Sequence, residues 1–130
     1  MKRHQTLQDL SREHHRALKL ALDARRAATS GDPGKVAAAI ASCAELFSAE
    51  LEPHFIIEES SLLPAMAEAG EAALVARTLR EHAELRALVD RLPGADAATL
   101  QRFAELLSAH VRFEERELFE VAQQRLEPQA

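Results

Sequence analysis

Two stretches of this chain place a histidine one helical turn ahead of a glutamate. Leu51–Leu63 reads LEPHFIIEESSLL and Leu107–Phe119 reads LSAHVRFEERELF. Both follow Leu-x-x-His-x-x-x-Glu-Glu-x-x-Leu, with His54 and Glu58 in the first copy and His110 and Glu114 in the second. Residues at i and i+4 share one helix face, about 6 Å apart along the axis. An imidazole above a carboxylate can therefore address one metal ion, or two adjacent ions. A lone pair of this kind is more often a surface i,i+4 pair worth a few tenths of a kcal/mol. That reading fails here, because both pairs interrupt the apolar stripe of the helix instead of its polar face.

A second echo lies between these motifs and before them. Arg12-Glu13-His14 and Arg80-Glu81-His82 both read Arg-Glu-His. A single histidine on an apolar face is more often a hydrogen-bonded core residue than a ligand. The repetition favours His14 and His82 as ligands all the same. His15 would add a fifth imidazole if the first helix were rotated; a surface role suits it better, as it does His4. The set His14, His54, Glu58, His82, His110 and Glu114 then contains four imidazoles and two carboxylates. Such a borderline-hard mixture suits iron, manganese or zinc better than calcium, magnesium or copper(I). Two carboxylates from opposite helices are placed to bridge two ions, each also taking two imidazoles, with positions left open for a small ligand.

The elements that must hold these groups are helices. The 130 residues, rich in Ala and Leu, with four glycines and neither tyrosine nor tryptophan, fit one all-α domain over 1–130. A net charge of −5 argues against nucleic acid and anionic membranes as partners. No apolar run approaches the roughly 18 residues of a membrane span. The start, MKRHQTLQDL, lacks the apolar core of a signal peptide, so a cytoplasmic location is expected. Cys43, the one cysteine, reads as a buried free thiol.

Thr6 is the expected cap of a first helix carrying Leu7, Leu10, His14, Leu18 and Ala21 inward to about Thr29, with Asp9 in its acid-preferring first turn. Ser30 or Asp32 caps a second helix with Val36, Ile40, Cys43, Phe47, His54, Glu58 and Leu62 inward. Pro53 predicts a kink before His54, Pro64 an end or a second bend, and Gly70 closes the segment. A third helix, about 71–92, turns Val75, Leu79, His82, Leu85, Val89 and Leu92 inward, and Pro93-Gly94 stops it. Asp96 caps the fourth, with Leu100, Phe103, Leu107, His110, Glu114, Leu118 and Val121 inward, running to about Leu126 before a frayed tail. Short turns between four such helices predict an antiparallel up-down-up-down four-helix bundle. Phe55, Phe113 and Phe119 fall near the ligand level as an apolar wall. Glu59 and Glu115 are expected to face solvent or a neighbouring helix. Glu13 and Glu81 suit either hydrogen bonds to the ligands or outward salt bridges, and Arg86 suits solvent, with the open coordination face or a carboxylate as the alternative.

The series REH, HFIIEESSLLP, REH and HVRFEERELF resembles the hemerythrin-like (HHE) cation-binding domain family over nearly the whole chain. The resemblance implies a non-haem di-iron centre held by His14, His54, Glu58, His82, His110 and Glu114. The two glutamates and an oxo or hydroxo group would bridge the irons, with zinc or manganese the less favoured metals. It implies binding of dioxygen or another small gas or peroxide ligand in carriage, sensing or redox handling. Oxygen carriers of the family have a further histidine one turn after the third-helix ligand, where this chain has Arg86. That departure shifts weight from reversible carriage towards nitric oxide, peroxide or redox chemistry. Binding rather than turnover is expected; the alternatives are a di-iron oxidase-type enzyme and a metal-dependent sensor or interaction module.

Overall fold

The computed structural model describes residues 4–126; the fraying expected beyond Leu126 lies outside them. Four helices account for nearly all of this span: α1 (Gln5–Ala28), α2 (33–68), α3 (Ala72–Arg91) and α4 (97–125). They form an antiparallel up-down-up-down bundle in which α1 packs on α2 and α4, and α3 on α2 and α4. The neighbour order around the bundle is therefore the chain order.

Local chemistry sets the helix ends. Asp32 caps α2 by accepting from the backbone N–H groups of Gly34 (2.9 Å) and Lys35 (3.3 Å), with Pro33 in the first turn. Asp96 caps α4 by accepting from the Thr99 N–H at 2.9 Å. At the end of α2, Glu71 N–H reaches Met66 O and Gly70 N–H reaches Ala67 O. This Schellman pairing needs the left-handed φ of +89° that Gly70 supplies without strain. Thr6 is not the cap of α1. That helix begins at Gln5 with His4 before it, because the His4 N–H is held by Gln123 Oε1 at 2.8 Å. Asp9 consequently lies past the first turn, where it accepts from Gln5 Nε2.

Pro53 and Pro64 do not end α2. Each lies two residues beyond a single π turn, Phe47–Leu51 and Glu58–Leu62. There Glu52 N–H pairs with Phe47 O, and Leu63 N–H with Glu58 O, five residues back. The helix resumes with each proline in its first two positions, where a nitrogen without hydrogen is tolerated. A third π turn, Glu114–Leu118, occurs in α4 without a proline. Its extra residue moves the inward stripe from Val121, half-buried, to Ala122, buried.

Two further positions differ from the periodic expectation. Small residues on α1 let it approach α4 closely, so Ala17, Ala21 and Ala24 form the buried seam and Leu18 covers its flank. On α3 the buried set is Thr78, His82, Leu85, Leu88 and Leu92, while Leu79 is 45% exposed. The Thr78 hydroxyl is satisfied by donating to Leu74 O at 2.8 Å, which makes a polar residue acceptable inside.

The core has two parts. One cluster runs from Ala17, Ala21 and Ala24 through Cys43, Phe47, Leu85, Leu92, Phe103 and Leu107. The other joins Leu7, Leu10, Leu62, Met66, Phe113, Leu118 and Phe119. His14 and His82 fall in sequence between the two clusters, and His54 and His110 each come just before the last member of the first cluster on their helix. Truncating Phe103, fully buried, to alanine should cost about 3–5 kcal/mol. Leu79→Ala should stay within about 0.5 kcal/mol. Denaturant unfolding of chelator-treated protein measures both, and an equal cost for Leu79 would contradict the observed rotation of α3.

Candidate metal centre

All six candidates converge at mid-bundle. His14, His54, Glu58 and Glu114 each place one ligand atom within 4.8 Å of the others, and so do Glu58, His82, His110 and Glu114. The two sets share both glutamates. Every member is between 0% and 3% exposed. The imidazole Nε2 atoms face the carboxylates: His14 to Glu114 at 2.8 Å, His82 to Glu58 at 3.0 Å, His110 to Glu114 at 3.1 Å and His54 to Glu58 at 3.3 Å.

These contacts leave the donor atoms unsatisfied. Nε2 of His54, His82 and His110, both Glu58 oxygens and Glu114 Oε2 are buried without a hydrogen-bond partner. Proteins seldom orphan so many buried polar atoms in one place. Lone pairs converging from imidazoles and carboxylates are what a cation, or a pair of cations, would satisfy. The residues present therefore fit a metal centre.

The outer nitrogens explain the orientation. His54 Nδ1 donates to Glu13 (3.0 Å), His82 Nδ1 to Glu59 (2.7 Å), His110 Nδ1 to Glu81 (2.7 Å) and His14 Nδ1 to Glu115 (2.6 Å). With the proton on Nδ1, each Nε2 keeps its lone pair towards the centre. The pattern is cyclic: α1 orients the histidine of α2, α2 that of α3, α3 that of α4, and α4 that of α1.

A family model, the hemerythrin HHE cation binding domain, matches residues 6–122. The chain belongs to the hemerythrin HHE cation-binding family. No curated protein and no solved structure matches it.

Several expectations for this HHE chain change. Glu59 and Glu115 take the neighbouring-helix alternative, where each accepts an imidazole N–H. Glu13 and Glu81 take the hydrogen-bonding alternative. The doubled Glu-Glu of both motifs and the Glu of both Arg-Glu-His triplets were the available signal. Arg86 is not a solvated side chain. It donates to Glu59 through Nη1 (2.7 Å) and Nη2 (3.1 Å) and to Glu52 through Nε (2.9 Å), with its guanidinium 5.5 Å from the Phe55 ring. His15 is exposed, about 100° around α1 from His14. His4 is half-buried against the end of the bundle, where Gln123 holds its backbone. The phenylalanine wall is present: Phe55 stacks on His82 at 3.9 Å, Phe119 on His14 at 5.2 Å, and Phe113 lies 6.4 Å from His110.

Without metal, protons take the cations' place. Burial lowers the imidazole pKa values, but the facing carboxylates outweigh it. Glu114 and Glu58 raise His54 to about 11, the same two raise His82 to about 9, and Glu114 with Glu81 raises His110 to about 10. His14 is raised by Glu114 and Glu115 against the same burial. Burial and the neighbouring Glu114 charge push Glu58 up. Glu114 is held well below the usual range, because His110, His14 and His54 outweigh its burial.

Metal and protons compete for the same atoms. With His54, His82 and His110 raised to about 11, 9 and 10, metal uptake by metal-stripped protein at pH 7 should release protons. Calorimetry in two buffers of different ionisation enthalpy should then give different apparent heats; identical heats would contradict the protonated cluster. A raised imidazole pKa adds stability that is complete below the unfolded value and lost through the folded one. The melting temperature of metal-stripped protein should therefore fall as pH rises from about 6.5 through 9 to 11.

Proposed function

We propose that the chain holds two iron ions and that the reduced centre binds dioxygen or a related small ligand such as nitric oxide or peroxide. His14 and His54 would hold one ion and His82 and His110 the other, with Glu58 and Glu114 shared. The observation that carries this reading is the pair of four-residue sets joined by two common carboxylates. Mixed imidazole and carboxylate donors support iron over the harder and softer cations. When bound, reduced iron supplies the electrons and the open coordination positions for a small ligand.

The chain's own residues do the rest. The Nδ1–H bonds to Glu13, Glu59, Glu81 and Glu115 fix the imidazole orientation, so little rearrangement is needed when metal enters. Phe55, Phe113 and Phe119 keep the surroundings apolar and restrict water. Burial of all six candidates supports a ligand of a few atoms. An organic substrate would need a cleft reaching them, and the absence of tyrosine removes the usual radical relay of an oxidase-type enzyme. No helix among the described residues is long and apolar enough to cross a membrane, and a cytoplasmic location is part of this proposal.

Metal content and the visible spectrum of anaerobically purified protein test the reading. About two irons per chain, with new charge-transfer absorption on exposure to air, are expected. Absorption that vanishes again when oxygen is removed favours binding, whereas oxygen consumed with each turnover favours an oxidase. His110→Ala and Glu114→Ala should abolish the paired centre, while His15→Ala retains it. Zinc as the bound metal would sink the proposal.

A further inference from the structure

The six central side chains are arranged with near twofold regularity, but their surroundings are not. Glu59 Oε2 receives the His82 Nδ1–H at 2.7 Å and Arg86 Nη1 at the same distance, so one oxygen serves two donors. Arg86 Nη2 holds the other Glu59 oxygen at 3.1 Å, and Glu52 fixes Arg86 from behind. His110 is backed in the same way: Glu81 Oε1 accepts its Nδ1–H at 2.7 Å, and Arg77 Nε donates to Glu81 Oε2 at 2.9 Å. Arg77 is itself held by its guanidinium lying 3.9 Å over the Phe113 ring. His54 differs. Its partner Glu13 forms no ion pair with arginine or lysine among the described residues.

A carboxylate that accepts an imidazole N–H makes that imidazole a stronger donor to metal. A guanidinium on the same carboxylate draws off its charge and reduces the effect. Both imidazoles of one metal position are therefore weakened; at the other position His54 is weakened less, because Arg16 acts on Glu13 only through its charge and without an ion pair. We propose that Arg86 and Arg77 are positioning residues that make the two metal positions inequivalent, so that the ion on His82 and His110 is reduced first. The inference rests on the di-iron reading. The step is one electron per ion, ferric to ferrous, supplied by dithionite through a mediator, with no bond broken.

The test is a reductive titration of iron-loaded protein, followed by absorption and by electron paramagnetic resonance of the one-electron-reduced form. Wild type should show two separated one-electron steps. Arg86→Gln should lower the potential of the first step, leave the second nearly unchanged and so narrow the gap; Arg86→Lys should restore much of it. Arg77→Gln should act on the same step in the same direction, and remains available if Arg86→Gln loads poorly. Lys19→Gln, which removes an exposed ion pair to Asp23, should move neither step. Unchanged steps in both variants with two irons bound, or equal movement of both steps, would overturn the inference. A second readout needs no iron. In zinc(II)-loaded, ¹⁵N-labelled protein, Arg86→Gln should shift the His82 Nδ1–H proton downfield, as its hydrogen bond to Glu59 strengthens, and leave that of His54 in place. A His82 resonance that does not move would overturn it too. Wild type that binds no iron would instead defeat the proposed function, and the zinc measurement separates that failure from this one.

Discussion

Glu58 and Glu114 lie side by side in the middle of the bundle, both 0% exposed. Two carboxylates removed from water and set against each other are unstable unless positive charge lies between or around them. The rest of the molecule answers that constraint. Each helix sends one imidazole towards the pair, and each imidazole is turned by a carboxylate of the preceding helix in the ring. Cations, or protons when cations are stripped, complete the balance. A polar layer of this kind also aligns the four helices, because a helix displaced along its axis would leave a buried carboxylate or imidazole without its partner.

The apolar parts of the chain fit around this layer. One hydrophobic cluster gathers towards the α1–α2 and α3–α4 turns and a second towards the opposite end, with the centre between them. Two of the three π turns begin at Glu58 and Glu114 themselves. A widened turn there changes the register between the centre and the following stripe, which is how Phe119 and Ala122 come inward after Glu114. Dryness and ligand orientation thus come from the same packing. Stacking on Phe55 and Phe119 restricts the His82 and His14 rings, while the outer hydrogen bonds restrict all four.

The carboxylates around the centre differ in what holds them in turn. Arg86 occupies the turn after His82 and is tied to Glu59 and Glu52, so the position contributes a charge acting through a carboxylate instead of a further imidazole. Glu59 and Glu81 are each shared between an imidazole and an arginine, whereas Glu13 pairs with His54 and with no arginine or lysine among the described residues.

The helices, the Asp96 cap and the six convergent residues were legible in the sequence because each depends on local spacing, while the cap of α2 was left between Ser30 and Asp32. An i,i+4 pair inside an apolar stripe points inward wherever the helix packs, and repetition of the motif removes chance as its explanation. Rotation and partnership were not legible. Leu79 and Leu88 are both compatible with an inward face of α3, and only packing against α2 and α4 selects Leu88. Glu59 and Glu115 sit about 100° from the ligand face on their own helices, so spacing alone left solvent and a neighbouring helix both open. They became partners of His82 and His14 because neighbouring helices bring those imidazoles to them. What the chain determined by itself was which groups face the centre; which carboxylate holds which imidazole, and which of those an arginine shares, depends on contacts between helices and was decided by the tertiary structure.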